Sequence, residues 1–310
     1  MSDLHYRTPE RFLGVDDEAA DRDRSAVWVL PIPLDMTTSY LGGTRHGAAA
    51  IIDASNQVEL YDPVLGSEAA LSYGVHTLPH FHPPLASAEG AVAAITAAVS
   101  DLHLYDRLLV TLGGEHSLTP GVIRALAPRF PGLVMVQLDA HCDLRESFDG
   151  TPYSHASATR RSLGYVERVY QFGIRSICQE EVDFLAETSR VHVWYADAMH
   201  ADRERLYLKD IRAALSGRPI YLSIDLDGFD PSVFPAVGTP EPGGISWYDG
   251  LALIQAVVEA GDVVAFDCVE LCPMPGAHGS AFAAAKLVYK TMSMIMHKRG
   301  RVSKVSPLQG

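Results

Sequence analysis

Short apolar runs alternate along this chain with longer segments in which apolar residues recur every three or four positions. Such runs are typical of strands that a parallel sheet buries on both faces, and the longer segments are typical of helices with one apolar face. The runs predict strands at residues 26–32, 107–112, 133–139, 168–173, 191–195, 219–225 and 263–270. The longer segments predict helices at residues 87–102, 117–127, 204–215, 247–260 and 280–297. This alternation favours an α/β fold with a mainly parallel sheet and helices on both of its faces.

The length of the chain favours one domain. At 310 residues it can bury a large core, and α/β folds of this size often form a single unit. No internal repeat or low-complexity linker divides the sequence. We therefore predict one domain over residues 1–310 with its core at about 26–297 and a peripheral N-terminal extension. The segment 298–310, basic and then polar, is predicted to be a frayed or disordered tail.

The net charge of −13, from 38 acidic and 25 basic residues, narrows the class of partner. Binding to nucleic acid requires a basic surface, so this balance argues against nucleic acid. A small cationic substrate would instead be attracted. An ordinary charge for solubility is the alternative explanation of the same balance.

Cysteine usage and hydropathy indicate the compartment. The four cysteines form no C-x-x-C pair and are too few for a disulfide framework in a chain of this length. Residues 1–24 lack the apolar core of a signal peptide, and no run approaches ~18 continuous apolar residues. We therefore expect a cytoplasmic protein that does not associate with a membrane.

The strand predicted at 133–139 ends in Asp139-Ala140-His141-Cys142-Asp143, with potential metal ligands at alternate positions. Because side chains alternate along an extended backbone, the two aspartates and His141 point the same way. The carboxyl ends of parallel strands are where α/β proteins bind ligands. This segment predicts half of a metal site, although a strand end with ordinary polar residues would contain the same side chains.

Three further strand ends carry related side chains. Gly113-Gly114-Glu115-His116-Ser117 follows one strand, and its glycines allow a tight turn that exposes His116. Packing or helix capping is the alternative role for this histidine. Asp225 and Asp227 share one face at the end of another strand, where two carboxylates repel unless a cation or protons intervene. Glu270 closes the last strand, where it could pair with a cationic substrate or simply mark the strand end.

Together these segments supply six candidate metal ligands, most of them carboxylates. They are His116, Asp139, His141, Asp143, Asp225 and Asp227. A catalytic zinc site needs only three protein ligands, so a set of six suits two metal ions. An oxygen-rich set with two imidazoles favours Mn²⁺. Two neighbouring ions could lower the pKa of a shared water toward neutrality and so provide a nucleophile.

In order and spacing these motifs resemble the ureohydrolase family, which includes arginases and agmatinases. The matching segments are residues 113–117, 139–143, 223–231 and 269–273, and the segments 42–47 and 173–176 also resemble family sequences. The resemblance covers roughly residues 26–295 and is strongest to agmatinases. It implies the arginase-like fold, a three-layer α-β-α sandwich around a mainly parallel sheet of about eight strands. Glu115 is a departure, because the family often has Asp at this position.

The resemblance also implies the roles of individual residues. One Mn²⁺ would be held by His116, Asp139, Asp143 and Asp225, and a second by Asp139, His141, Asp225 and Asp227. Glu270 would hold the flat guanidinium through paired hydrogen bonds, and Asp143 would pass a proton to the leaving nitrogen. His155 matches a loop histidine that shuttles protons at the mouth of the site, with a plain surface histidine as the alternative. Asp230 would support the ligands without binding metal.

The expected reaction is hydrolysis of a guanidino group to urea and an amine. The loop at 144–150 differs from the loop with which arginases read their amino-acid substrate, and the run 238–244 resembles agmatinases. These features favour agmatine, which would give putrescine. An acidic mouth containing Glu146 or Asp149 would suit the distal ammonium of this dication. The alternatives N1-aminopropylagmatine, 4-guanidinobutyrate and arginine stay open.

Two other kinds of protein would contain part of this pattern. A deacetylase-like hydrolase would use a single zinc and would leave several aspartates without a role. An inactive homologue acting as an interaction module would be expected to have lost ligands, and none of the six is missing. The family resemblance further suggests a homo-oligomer, either a trimer or a hexamer.

Overall fold

The computed structural model describes residues 10–303 and contains a sheet of eight strands whose neighbouring pairs are all parallel. The strands are β1 (Val27–Ile32), β2 (Tyr61–Asp62), β3 (Ser67–Glu68), β4 (Val75–Thr77), β5 (Leu108–Gly113), β6 (Val134–Leu138), β7 (Val169–Ile174), β8 (Val191–Tyr195), β9 (Pro219–Asp225) and β10 (Asp262–Val269). β2 and β3 pair as a small separate antiparallel ladder. The others form the large sheet in the order β4-β1-β5-β10-β9-β6-β7-β8.

Helices cover both faces of this sheet. They are α1 (Gly47–Ser55), α2 (Ala69–Tyr73), α3 (Ala88–Ser100), α4 (Thr119–Leu126), α5 (Ala158–Ser162), α6 (Gln179–Glu187), α7 (Ala196–Ala201), α8 (Tyr207–Leu215), α9 (Trp247–Ala260) and α10 (Gly279–Lys298). α1, α2 and α8 to α10 bury residues in one hydrophobic core, while α3 and α4 bury theirs in a second. Within residues 10–303, no helix is both long and apolar enough to cross a membrane.

Alternate residues of each central strand enter the two cores. In β9, Ile220 and Leu222 belong to the core beneath α8 to α10, whereas Tyr221 belongs to the core beneath α3 and α4. This alternation follows from the two-residue period of extended backbone, and it explains why the strands are apolar throughout. The predicted three-layer α-β-α sandwich around a parallel sheet of about eight strands is therefore confirmed.

The predicted elements are all present, with strand ends displaced by at most one residue and helix ends by at most three. The sequence pattern missed β4, which has three residues and pairs only with β1 at the edge of the sheet. It also missed five helices, α1, α2 and α5 to α7. In α6 the only buried residue is Glu181, so this helix shows no apolar periodicity.

Both ends of the described chain are more ordered than the sequence predicted. Phe12 and Val15 lie in the hydrophobic core, so the core begins well before residue 26. Lys298 ends α10, and its ammonium donates to the carbonyl oxygens of Val258 and Gly261. The buried side chain of Val302 follows, so the prediction of a frayed tail was wrong for residues 298–303. The predicted extension and tail at residues 1–9 and 304–310 lie outside the described residues.

The strand order places a change of direction at the centre of the sheet. The chain passes from β5 to β6, and β10 and β9 later fill the gap between them. In open α/β sheets such a switch point leaves a crevice outside the carboxyl ends of the strands. The candidate ligands lie at this crevice.

Candidate metal centre

Four neighbouring strands at the middle of the sheet deliver the candidate residues to one edge. His116 follows β5, Glu270 follows β10, Asp225 ends β9 and Asp139 follows β6. Because adjacent strands lie roughly 4.8 Å apart, residues at these four ends can meet in one small volume. The structure thus brings together side chains that are up to 154 positions apart in sequence.

The imidazole of His116 stands at the centre of the first group. Its Nδ1 atom lies 3.1 Å from one carboxylate oxygen of each of three aspartates, Asp139, Asp143 and Asp225. All four side chains are buried. The geometry therefore gathers four of the six candidate ligands around one point.

The second nitrogen of His116 determines what Nδ1 can do. Nε2 lies 2.9 Å from Ser223 Oγ, and this hydroxyl donates to Asp267 Oδ1 at 2.7 Å. Since the Ser223 proton is committed to Asp267, Ser223 accepts from His116, which places a ring proton on Nε2. Nδ1 then faces three acceptors, and it has no hydrogen-bond partner within residues 10–303. The position fits a cation held by Nδ1 and the surrounding carboxylates.

A second group adjoins the first and shares Asp139 with it. His141 Nδ1 lies 3.1 Å from Asp227 Oδ2 and 3.6 Å from Asp139 Oδ1. The potential ligand atoms of these three residues lie within 4.8 Å of one another. The backbone fixes the carboxylates, because the amides of His141 and Ala140 donate to Asp139 at 2.6 Å and to Asp227 at 3.1 Å. Two adjoining groups with a shared aspartate have the arrangement expected for two metal ions.

The charges of these groups are unfavourable without a cation. Burial raises the pKa of Asp225 well above its usual range, and repulsion by Asp227 and Asp139 adds to the effect. Burial together with Asp139 likewise raises the pKa of Asp143 to about 6. The pKa of His141 rises to about 12 although burial opposes protonation, because Asp227 and Asp139 stabilise the imidazolium. All three pKa shifts favour protonation, so the cluster is stabilised by positive charge. Bound divalent cations would supply that charge.

Glu270 faces the same space from β10. The backbone amide of His116 donates to its Oε1 at 2.6 Å, so one oxygen is tied to the first metal group. Its backbone φ of +66° lies in the left-handed region, which a residue other than glycine adopts only when its surroundings enforce it. Burial and the neighbouring Glu115 raise its pKa well above the usual range. A bound cationic group would therefore stabilise this carboxylate.

His155 and Asp143 line the cavity beside Glu270. The cavity has an inner part of about 20 Å³ and an outer part of about 130 Å³, and both parts contact Asp143 and His155. The His155 ring lies edge-on to Phe148, with centroids 6.1 Å apart. Asp143, like Glu270, has a left-handed backbone, with φ of +52°. The predicted catalytic residues and the predicted metal ligands therefore lie together at one cavity.

The mouth of the cavity differs from the predicted acidic one. Glu146 pairs with Arg160 at 3.1 Å and with Arg161 at 2.9 Å, and neither Glu146 nor Asp149 lines the cavity. The prediction was wrong for these two residues, because both are exposed outside the cavity lining and two arginines hold the carboxylate of Glu146. The outer wall contains Arg145, whose guanidinium lies 4.9 Å from the centroid of Phe148. It also contains Glu181, whose carboxylate accepts from the amides of Leu144 and Cys178.

The carboxylate of Asp230 binds backbone amides and not the candidate ligands. Its carboxylate accepts from the amides of Ser232, Gly243 and Gly244, the first two at 2.9 Å and the third at 3.3 Å. These bonds join the loop after β9 to the glycines of the run 238–244. Asp230 therefore orders the backbone near the site and binds no metal group directly.

Two supporting residues carry functions that the sequence pattern did not reveal. Arg175 donates to several backbone carbonyls, including those of Asp227 and Glu241, both at 2.7 Å. Asp267 accepts from Ser223 and also from the hydroxyls of Thr119 and Tyr221, the last two at 2.6 Å. A charged residue within the otherwise apolar run 263–269 was the available signal for Asp267. For Arg175 the only signal was its place in the run 173–176.

Comparison with known proteins identifies the family of this chain. The arginase family model matches residues 25–294 of the chain. An N(1)-aminopropylagmatine ureohydrolase of Synechocystis sp. is 37% identical over 290 residues, covering 92% of this chain and 93% of that protein. An agmatinase of Bacillus cereus is 34% identical over 257 residues, covering 81% of this chain and 85% of that protein.

The fold is also found among solved structures. The crystal structure of an agmatine ureohydrolase of Thermoplasma volcanium has a TM-score of 0.82 and 29% sequence identity. The match covers 95% of this chain and 97% of that one. The similarity of fold therefore extends over nearly the whole chain.

Proposed function

Since this chain belongs to the arginase family and is a ureohydrolase, we propose that it hydrolyses agmatine or N1-aminopropylagmatine to urea and an amine. The two substrates are supported equally, because relatives with both names are similar to this chain over most of its length. The observation that carries the proposal is the buried Nδ1 of His116, 3.1 Å from three carboxylates, with Glu270 beside it in the same cavity.

We propose that two Mn²⁺ ions per subunit occupy the site. The first would be held by His116, Asp139, Asp143 and Asp225, and the second by Asp139, His141, Asp225 and Asp227. Two such ions supply Lewis acidity and make water a nucleophile at neutral pH. We further propose that the protein is a cytoplasmic homo-oligomer, a trimer or a hexamer, as its family resemblance suggests.

The chain's own residues would bind and orient the guanidinium. Glu270 uses one lone pair of Oε1 for the amide of His116, which leaves Oε2 and the remaining lone pairs for the flat cation. A carboxylate at this position fixes the orientation of the guanidinium carbon toward the ligands. Asp143 would take a proton and deliver it to the leaving nitrogen, and His155 would exchange protons with solvent at the outer cavity.

A second candidate substrate is 4-guanidinobutyrate, and one observation favours it. Arg145 lines the outer cavity, and its guanidinium makes no hydrogen bond or salt bridge with any residue from 10 to 303. A terminal carboxylate could pair with this guanidinium, whereas a terminal ammonium would gain nothing from it. The charge at the far end of the substrate therefore distinguishes the candidates.

The test is urea release by the Mn²⁺-loaded protein with four compounds: agmatine, N1-aminopropylagmatine, 4-guanidinobutyrate and L-arginine. We expect one of the two agmatine compounds to exceed L-arginine in kcat/KM by at least about tenfold, because the charged α-substituents of arginine must be desolvated. Asp225→Ala protein purified in the same way controls for contaminating urea formation. Preference for arginine contradicts the substrate proposal. Release of no urea from any compound favours the inactive interaction module.

A further inference from the structure

Glu115 is a buried carboxylate that lies next to the site and contacts none of the candidate ligands through its side chain. Its Oε2 accepts from the amide of Met36 at 2.8 Å and from that of Thr37 at 2.6 Å. Its Oε1 accepts from the hydroxyls of Thr37, at 2.9 Å, and Ser117. Within residues 10–303 it forms no salt bridge with a basic side chain. Four donors on two loops therefore balance its charge.

Thr37 extends this contact to His155. Its hydroxyl donates to Glu115 and accepts from the backbone amide of His155 at 2.9 Å. The same oxygen lies 3.4 Å from His155 Nδ1, and Ser39 Oγ lies 3.4 Å from Nε2. Both ring nitrogens of His155 are thus placed by the segment that Glu115 holds.

The segment after Thr37 forms a wall of the inner cavity. The lining of the inner cavity contains residues 38–41 together with Asp227 and Glu270. Tyr40 is 73% exposed, so little packing from the solvent side holds this segment in place. Glu115, which directly precedes His116, holds Met36 and Thr37 before this segment, and the carboxylate of Asp35 accepts from Thr38 and Gly43.

We propose that Glu115 is a positioning residue that sets the ring of His155 relative to the metal ligands, acting through Thr37. The inference rests on the proposed function, in which His155 exchanges protons at the cavity mouth. It gives a physical reason for a glutamate at this position. An aspartate would withdraw the carboxylate by one carbon–carbon bond, about 1.5 Å, and could not reach all four donors.

The test is a double-mutant cycle on kcat with Thr37→Val and His155→Ala. Thr37→Val is nearly isosteric and removes only the hydroxyl that links Glu115 to His155, so it should fold. We expect His155→Ala to lower kcat by about 100-fold. Thr37→Val should lower kcat by about tenfold with metal content and KM within about twofold of the wild type. In the His155→Ala background, Thr37→Val should cost less than about twofold, because its effect acts through the missing ring.

Glu115→Gln extends the cycle to the carboxylate itself. Glutamine keeps the length of the side chain but offers one acceptor oxygen to four donors. We expect it to lower kcat at least as much as Thr37→Val and to lose the part of the effect that acts through Thr37, about tenfold, when His155 is alanine. Asp62→Asn is the matched control. It also alters a buried carboxylate, which accepts from the backbone amide of Val64 and the ammonium of Lys290 and does not line the cavity. It should leave kcat unchanged.

Each outcome distinguishes this inference from the proposed function. If the double variant loses kcat by the product of the two single losses, Thr37 does not act through His155. That result would overturn the inference, while the ureohydrolase proposal would stand. Loss of metal in Thr37→Val would recast the segment as support for the ligands and would also overturn the inference. Full kcat in His155→Ala would remove the proton role of His155 from the proposed function, and the positioning role with it.

Discussion

At the scale of single residues, the site is defined by acceptors that face one another. Two carboxylates about 4 Å apart repel by about 4 kcal/mol at an effective dielectric constant near 20. Several such pairs surround His116 Nδ1, itself an acceptor when Nε2 carries the ring proton. Such an arrangement is stable only with positive charge at its centre. This requirement leads to separate predictions for the ligands and for Glu270.

The shared ligands should matter more than the unshared one. If Asp139 and Asp225 each contact both ions, Asp225→Ala should lose activity and most of both metals. His116→Ala should weaken one site preferentially and retain about one ion per chain. Metal analysis of the purified variants measures this directly. Two ions per chain in Asp225→Ala would contradict the binuclear assignment.

Glu270→Gln should separate substrate binding from metal binding. The amide oxygen of the introduced glutamine can still accept from the amide of His116, so the metal group should stay intact. The NH₂ group of the new side chain then faces the cavity and repels the guanidinium, so we expect kcat/KM to fall by at least about 100-fold. Kinetics and metal analysis on the same sample provide the measurement. Loss of metal together with activity would show that Glu270 supports the ligands instead.

At the scale of elements, the ends of the central strands hold the ligands, and Arg175 joins the loops behind them. Arg175 is the first residue after β7, and its guanidinium donates to the carbonyl oxygens of Asp227, Gly228 and Phe229, which follow β9. It also donates to Glu241 and Pro242 in the loop that contains the cavity residue Thr239. Only the planar fork of arginine offers enough donors in one plane for so many acceptors.

Arg175→Lys should therefore disturb both stability and the metal group at Asp227. Each charged hydrogen bond contributes about 1.5–3 kcal/mol, so losing two or more should lower the free energy of unfolding by at least about 3 kcal/mol. Denaturant unfolding and Mn²⁺ titration of the same variant measure the two effects. Arg190→Lys is the matched control, because Arg190 also donates to backbone carbonyls, at Leu163, Val166 and Glu167, near the opposite ends of the strands. Weakened Mn²⁺ binding in both variants would contradict the assigned role.

At the scale of the whole molecule, bound cations would stabilise the acidic site at the edge of the parallel sheet. One edge of the eight-stranded parallel sheet holds four buried aspartates: Asp139, Asp143, Asp225 and Asp227. Without a bound cation these carboxylates would repel one another or take up protons. The net charge of −13 counts these carboxylates as unneutralised, so the loaded enzyme carries less negative charge than its sequence suggests. Metal removal should therefore affect the whole fold.

Removing metal from the intact protein should lower its melting temperature. Ligand present at about 1,000 times its Kd stabilises the native state by about 4 kcal/mol, which for a chain of this size corresponds to a Tm shift of roughly 5–10 °C. The measurement is a thermal melt before and after chelation, with restoration by Mn²⁺ after the chelator is removed. An unchanged Tm in protein shown to be metal-free would contradict the coupling.

The sequence by itself determined the class of fold and the chemistry at the strand ends. Apolar runs long enough for strands located seven of the eight sheet strands, because burial on both faces leaves little room for polar residues. The alternation in 139–143 and 225–227 indicated which side chains meet, although both segments leave the extended conformation: β6 ends at Leu138, Asp143 has a φ of +52°, and residues 226–228 form a 3₁₀ helix. Motif order then indicated the ureohydrolase family.

Only the tertiary structure decided which elements meet. The placement of β10 and β9 between β5 and β6 brings Ser223 and Asp267 behind His116, a contact between residues too distant in sequence for any local pattern. Tertiary packing also pairs Glu146 with Arg160 and Arg161, whereas the sequence suggested that Glu146 forms an acidic mouth. Local periodicity specifies how a side chain points within its own element. Its partners depend on the packing of elements against one another, which the burial of apolar surface across the whole chain decides.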